Sequence, residues 1–162
     1  MADPLIAGVM KLVGDAMHKH NMRQPLIGIF PWGTTKRRDA LTENRGSIAP
    51  YVSQNTAADE NGAALNAHHT HFVLVDAGKE APAAWGSEIG LRYQFEEFYS
   101  VHKHVPIVQV VVQGGPGTLA TVESTALAGK PIVVLVDSGG AATALVRLEP
   151  APLSVASIAQ VH

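Results

Sequence analysis

The chain has 162 residues, 46% hydrophobic and only 16% charged, with a formal net charge of −2 and no cysteine. That length accommodates one domain with a sizeable core and not two comfortable ones, while the lack of cysteine excludes disulfides and thiolate metal sites. The charge balance excludes a nucleic-acid footprint, Lys36-Arg37-Arg38 being the only basic cluster, and apolar runs such as Ile132–Val136 fall far short of the ~20 residues of a membrane helix.

A soluble, cytoplasmic domain is therefore expected. Its charge fraction lies below the roughly 25% usual for such domains. Two explanations stand side by side: a surface covered by self-association or by neighbouring domains, or an α/β domain with large two-sided burial.

Taken in chain order, Asp3-Pro4 has the form of an N-cap followed by proline. Leu5, Val9, Val13 and Met17 then recur at i+4 spacing, which predicts an amphipathic helix ending near His20. Leu26–Phe30 is a short apolar strand stopped by Pro31 and Gly33, and residues 32–66 lack any sustained period. Loops of that length tend to be functional or mobile. His71–Gly78 is the next strand, followed by a helix from Trp85 to Val101. Strand Ile107–Val112, helix Thr118–Leu127, strand Ile132–Val136 and helix Gly140–Arg147 complete the pattern. Alternating strands and helices imply parallel β-α-β units. The expected fold is α/β, a Rossmann-like three-layer α/β/α sandwich with a mostly parallel sheet. Residues 1–150 form the domain, and the small-residue-rich tail 151–162 is a candidate last helix.

In open α/β sheets, ligands bind beyond the carboxyl ends of the strands. Gln113–Thr118 lies at such an end. Gly114, Gly115 and Gly117 let backbone approach a ligand without an intervening Cβ. Pro116 and Thr118 lead into a helix whose free N–H groups suit a phosphate. The stretch matches neither the P-loop nor the dinucleotide fingerprint, so a plain tight turn stands beside the phosphate reading. Ser138-Gly139-Gly140 repeats the arrangement after the next strand and favours a nucleotide cleft.

Five collinear stretches carry a resemblance: GVMKLVGDAMHKH, LIGIFPWG, NAHHTHFVLVDAG, WGSEIGLRYQFEEF and PIVQVVVQGGPGTLATVESTALAGKPIVVLVDSGGAA. Together they cover about Gly8 to Ala144, and the chain resembles the SLOG-type nucleotide-binding domain at the cytoplasmic N-terminus of melastatin-type TRP channels. The resemblance implies a Rossmann-like fold and a ligand such as ADP-ribose or a related NAD-derived nucleotide. It also implies a distant likeness to LOG-type phosphoribohydrolases, which carry P-G-G-x-G-T-x-x-E. Here the glutamate position is Thr121 and the proline position Gln113. A threonine has no carboxylate to activate water, and Glu123 lies about 200° round the helix. The family normally begins with a strand and a glycine-rich turn, which this chain, starting MADPLIAG, is expected to lack.

In the channel domains an aromatic-glycine pair and an arginine two helical turns on contact the nucleotide. The matching positions are Trp85, Gly86 and Arg92. By resemblance, indole stacks a base and guanidinium pairs with phosphate oxygens in a fork. Glu88 either accepts from a ribose hydroxyl or caps the helix, Gly139 and Gly140 supply a second wall, and Trp32 packs under the long loop. His68–His71 are structural histidines in preference to metal ligands, and His102 and His104 end a helix. A triad written from His71, Asp76 and Ser138 has nothing to fix its geometry.

The expectation is thus a sensor binding ADP-ribose or a relative, with no catalytic residue, no metal and no required cofactor. Its partners would be the nucleotide, further copies of the chain or an attached effector, and neither nucleic acid nor the bilayer interior. The alternatives are a non-binding scaffold and a LOG-like phosphoribohydrolase using Glu88 or Glu123.

Overall fold

The structure, a computed structural model, describes residues 8–43, 46, 48–49, 51–53, 61–147 and 158–161. The chain divides between Leu91 and Arg92 into two compact units. Among the described residues, no helix is long and apolar enough to cross a membrane. The expected helix start at Asp3-Pro4 lies outside those residues.

In the first unit, helix α1 spans Gly8–Lys19 and strand β1 spans Ile27–Pro31. A 3-10 turn follows at Trp32–Thr34, then a one-turn helix α2 at Asp39–Thr42. Strand β2, His71–Val75, pairs in parallel with β1 in the register Ile27↔His71 to Pro31↔Val75. The segment read as irregular carries more order than its composition suggests. The Thr34 and Thr35 hydroxyls donate to Pro31 O at 3.2 and 2.9 Å, and Thr35 bridges to Ala63. Arg38 holds the Glu80 carboxylate with two bonds of 2.8 and 2.7 Å and lies 5.8 Å from the centre of the Trp32 ring.

Polar locks also fasten α1 to the segment before β2. Gly14 is buried, and a Cβ there would collide with the Asn66 amide. Asn66 Oδ1 accepts from His68 N at 2.9 Å, and Asn66 Nδ2 donates to Asp15 at 3.4 Å. Residues buried in this unit include Ala63, Leu65, Ala84, Thr34, Thr35 and Asn66, small or polar side chains that fill little volume.

In the second unit, helix α3, Ile89–Glu97, has its larger part and continues as a π-helical turn over Phe98–His102. The helix expected from Trp85 thus begins four residues later. Residues 81–88 form turns, and Gly86 has φ +86°, which no helix interior accepts. Strand β3 is Gln109–Val111, helix α4 Pro116–Leu127, strand β4 Ile132–Leu135 and helix α5 Gly140–Arg147.

The chain is α/β with parallel pairing throughout, as expected, but the strands form two small sheets, β1-β2 and β3-β4-β5. The last of these strands, β5, is Ile158–Val161, paired in parallel with β4 from Ile132↔Ile158 to Leu135↔Val161. Over those four residues the tail is strand where a helix was the candidate, because the open edge of β4 supplies backbone partners that local sequence does not reveal. The core of this unit is Val111, Val122, Ile132, Val134 and Ala142, with Leu145 and Val146 packed against it. It sits where β3 and β4 meet α4 and α5, directly beneath the two glycine turns.

Candidate functional site

Beyond Val111 the chain turns through Gln113 at φ +55° and Gly114 at φ +91° before α4 begins. Gly115 is the N-cap, and Pro116, which has no N–H to leave unpaired, opens the helix. Thr118 N donates to Gly115 O at 3.0 Å. Among the described residues, the N–H groups of Gly115 and Gly117 have no protein acceptor. Both residues are exposed. Two donors at the positive end of a 12-residue helix therefore face open space. The side chain of Thr118 stands against Gly114, where a Cβ would collide with its hydroxyl.

The second turn, Ser138-Gly139-Gly140, is committed differently. Ala141 N donates to Gly114 O at 2.8 Å and Ala142 N to Gln113 O at 2.9 Å. Gly139 N is taken by Thr143 Oγ1 at 3.0 Å. Ser138 Oγ accepts from Gln113 N at 2.9 Å and donates to Leu135 O at 2.8 Å. Gly140, at φ +53°, lies so close to Gly114 O that no Cβ fits. The first turn of α5 is thus spent on holding the backbone of Gln113 and Gly114 in shape.

Arg92 reaches the first turn of α4. Its Nη2 donates to Thr121 Oγ1 at 2.9 Å, and that hydroxyl donates to Gly117 O at 3.1 Å. The Arg92 Nε lies 3.3 Å from the Glu96 carboxylate, yet its N–H is buried and misaligned, without a hydrogen bond. The charge is close, and the directional bond is missing. Thr121, at the LOG-type glutamate position, is only 9% exposed. It is filled by a hydroxyl already engaged on both sides, with no carboxylate to abstract or deliver a proton.

The other predicted residues lie in the first unit. Trp85 is 39% exposed and meets Phe30 edge-on, centroids 5.5 Å apart at 89°. Gly86 follows it at positive φ. Glu88 has one buried carboxylate oxygen, Oε2, without a hydrogen-bond partner among the described residues. In the second unit Gly114, Gly115, Pro116, Gly117 and Thr118 follow one another into the start of α4, Arg92 bonds to Thr121 further along the same helix, and the Gly139–Gly140 turn braces the backbone of Gln113 and Gly114.

Three residues of this arrangement escaped the sequence reading. Thr121 stands in the sequence only as a lost glutamate, Glu96 only as a helical position, and Ser138 only as the opening of the second glycine turn and a triad candidate. A signal existed for one of them: Arg92 and Glu96 are spaced i, i+4.

His18, His68, His69, His71 and His102 each have a protein neighbour. His68 stacks on His18 with centroids 4.1 Å apart, and its Nε2 lies 3.7 Å from Asp15. His69 approaches Asn66 Oδ1 at 3.3 Å and stacks on Phe72, while burial, with His68 next to it, holds its pKa below the ordinary value. His71 Nδ1 meets Thr70 Oγ1 at 2.9 Å. His102 lies in the π-helical turn, 5.5 Å from Phe98, and His104 follows it at φ +54°. A groove of about 580 Å³ opens at the other end of β3 and β4, lined by Tyr93, Glu97, Lys130 and Pro131 among others. Its two charged groups, Lys130 and Glu97, pair with each other.

Comparison with known proteins agrees with this architecture. The family model described as SLOG in TRPM matches residues 2–149. The chain is 33% identical over 170 residues to the rat transient receptor potential cation channel subfamily M member 2, covering 96% of this chain and 11% of the relative. It is 35% identical over 153 residues to a subfamily M member-like 2 channel of Nematostella vectensis, covering 84% of this chain and 10% of that one. It is 34% identical over 144 residues to human subfamily M member 7, covering 82% and 8%. The chain spans about a tenth of the length of these relatives. On the family match and these identities, the chain belongs to the SLOG family found in TRPM channels.

Proposed function

We propose that this domain senses a nucleotide, ADP-ribose or a related NAD-derived compound, by gripping its phosphates at Gly114–Thr118, without catalysis. The observation that carries this reading is the pair of unspent N–H groups, Gly115 and Gly117, at the start of α4, with the Arg92 guanidinium fixed to the same turn through Thr121. Backbone donors, a helix dipole and a delocalised cation at one place are the parts a phosphate needs. Thr118 adds a hydroxyl, and the Gly139–Gly140 turn acts as the brace behind the loop instead of a second wall. By the resemblance Trp85 is assigned base stacking and Glu88, whose Oε2 has no hydrogen-bond partner among the described residues, a ribose hydroxyl, tested by adding Trp85→Ala and Glu88→Gln to the titration below. We further place the domain in the cytoplasm, as part of a channel-associated or self-associating assembly.

The test is a thermal-shift titration with ADP-ribose, NAD, AMP and cyclic ADP-ribose on wild type and Arg92→Ala. Ligand at about 100 times Kd raises stability by roughly 2.7 kcal/mol if it binds only the folded state. A shift in wild type that is lost in Arg92→Ala supports the reading. No shift with any of the four at millimolar concentration overturns it in favour of a scaffold. Release of free base from a nucleoside monophosphate, abolished by Glu88→Gln or Glu123→Gln, would establish a hydrolase instead.

A further inference from the structure

Resting on the phosphate reading, we propose that Thr121 and Glu96 set the strength of the site in opposite directions. Thr121 is the post that positions Arg92 at the first turn of α4, and Glu96 is an internal carboxylate that an incoming phosphate must displace from the same guanidinium.

Thr121 has the right chemistry for a post. Its hydroxyl accepts from Arg92 Nη2 and donates onward to Gly117 O, so one buried side chain ties the cation to the backbone of the turn. A hydroxyl is required for both bonds at once. A valine of the same shape makes neither, and an ionised carboxylate could accept from the arginine but not donate to the carbonyl. Serine keeps both.

Glu96 is a weak holder by two separate measures. Its carboxylate lies 3.3 Å from Arg92 Nε without forming a hydrogen bond, leaving that donor buried and unused. The pair runs arginine first, glutamate four residues later, the less favourable order on a helix. Charge proximity without alignment neutralises Arg92 in the free protein, yet yields to a ligand that supplies more charge and better geometry. A phosphate bears up to two negative charges and can take the guanidinium fork in two parallel bonds. Glu96 thus sets a threshold that singly charged anions do not cross.

The experiment is titration calorimetry of ADP-ribose and of inorganic pyrophosphate on wild type, Glu96→Gln, Thr121→Val, Thr121→Ser and Arg92→Ala, at about 50 and about 300 mM salt. Glu96→Gln is expected to tighten both probes about 3- to 10-fold at low salt, the gain shrinking at high salt. Thr121→Val is expected to weaken both about tenfold, and Thr121→Ser to stay within about threefold of wild type. Unfolding of the free variants in urea separates a fold defect from a site defect. Glu96→Gln binding no tighter than wild type, or a gain indifferent to salt, overturns the role of Glu96. Thr121→Ser falling as far as Thr121→Val overturns the role of Thr121. Wild type binding neither probe overturns the phosphate reading itself, and this inference with it.

Discussion

Gln113–Thr118 follows β3 and Ser138–Gly140 follows β4, and each passes from a parallel strand into a helix through glycine at positive φ. In sequence the two look like copies. In the structure they divide the labour: the second donates Ala141 and Ala142 N–H to the carbonyls of Gly114 and Gln113, and Ser138 takes the Gln113 N–H. The first leaves the Gly115 and Gly117 N–H groups without an acceptor among the described residues. Glycine content alone therefore does not mark an anion site. What marks one is an unspent donor at a helix start, and that is a property of the pairing between two turns.

The largest effect expected from breaking this arrangement is at Gly140. Alanine there must hold φ +53° and place a Cβ against Gly114 O, which is backbone and cannot swing aside. Left-handed strain and forced repacking together are expected to cost about 2–4 kcal/mol, read as a lowered urea midpoint with unchanged m-value. Ser138→Ala comes next. It takes away the acceptor of the Gln113 N–H and leaves Leu135 O with only the 3.4 Å bond from Ser138 N, and about 1–2 kcal/mol of destabilisation is expected by the same measurement. Gly115→Ala is the opposite case. A Cβ there meets nothing within 4 Å, and the N-cap conformation, φ −99° and ψ −166°, suits any residue. Its stability is expected to stay within about 0.5 kcal/mol of wild type, while nucleotide affinity falls because the new methyl stands where phosphate would approach. An affinity unchanged in Gly115→Ala would make the first turn as purely structural as the second.

The difference between the turns also shows how far sequence reaches. Helix α5 was legible to the residue, because its apolar face and opening glycines coincide, and β3 and β4 came through shortened by three residues and by one. Arg92 was assigned to the phosphate by resemblance, and in the structure its guanidinium bonds to Thr121 on α4. The tie itself was invisible, since a threonine at the sixth position of a helix has no local pattern announcing a partner 29 positions away. The helix start at Trp85 misled because turn geometry at Gly86 overrides helical spacing. The two-sheet division escaped because apolar strands reveal burial and not which strand neighbours which. The fate of Ser138-Gly139-Gly140 could not be read either, as it depends on carbonyls contributed by another turn.

Acid gives the finest test of the comparison, because among the described residues the groups with displaced titration, Asp15 and His69, belong to the first unit whereas both turns belong to the second. Burial, with His68 next to it, holds the His69 pKa below its ordinary 6.5. The unfolded chain therefore takes up that proton before the folded one does, so this contribution to stability is complete above 6.5 and declines as pH falls below it. Asp15 is held below its ordinary 3.8, chiefly by its bond from Lys11 and further by Asn66 and His68. Its contribution is present above 3.8 and is lost as pH falls through the folded value. Both signs agree: stability falls with acid in two steps, and each is expected to be smaller than the Ser138→Ala effect, since Asp15 is well solvated. Urea unfolding at pH 7.5, 5.5 and 3.5 on wild type and His69→Gln checks this, with the upper step absent in the variant. Amide exchange then locates it. Exchange that quickens first at Asn66–His69 and α1, while Ala141 and Ala142 stay protected, keeps the turn-to-turn brace independent of the histidine cluster. Simultaneous loss at all four positions would mean that the brace depends on the fold of the first unit, and the two turns could no longer be compared as a self-contained pair.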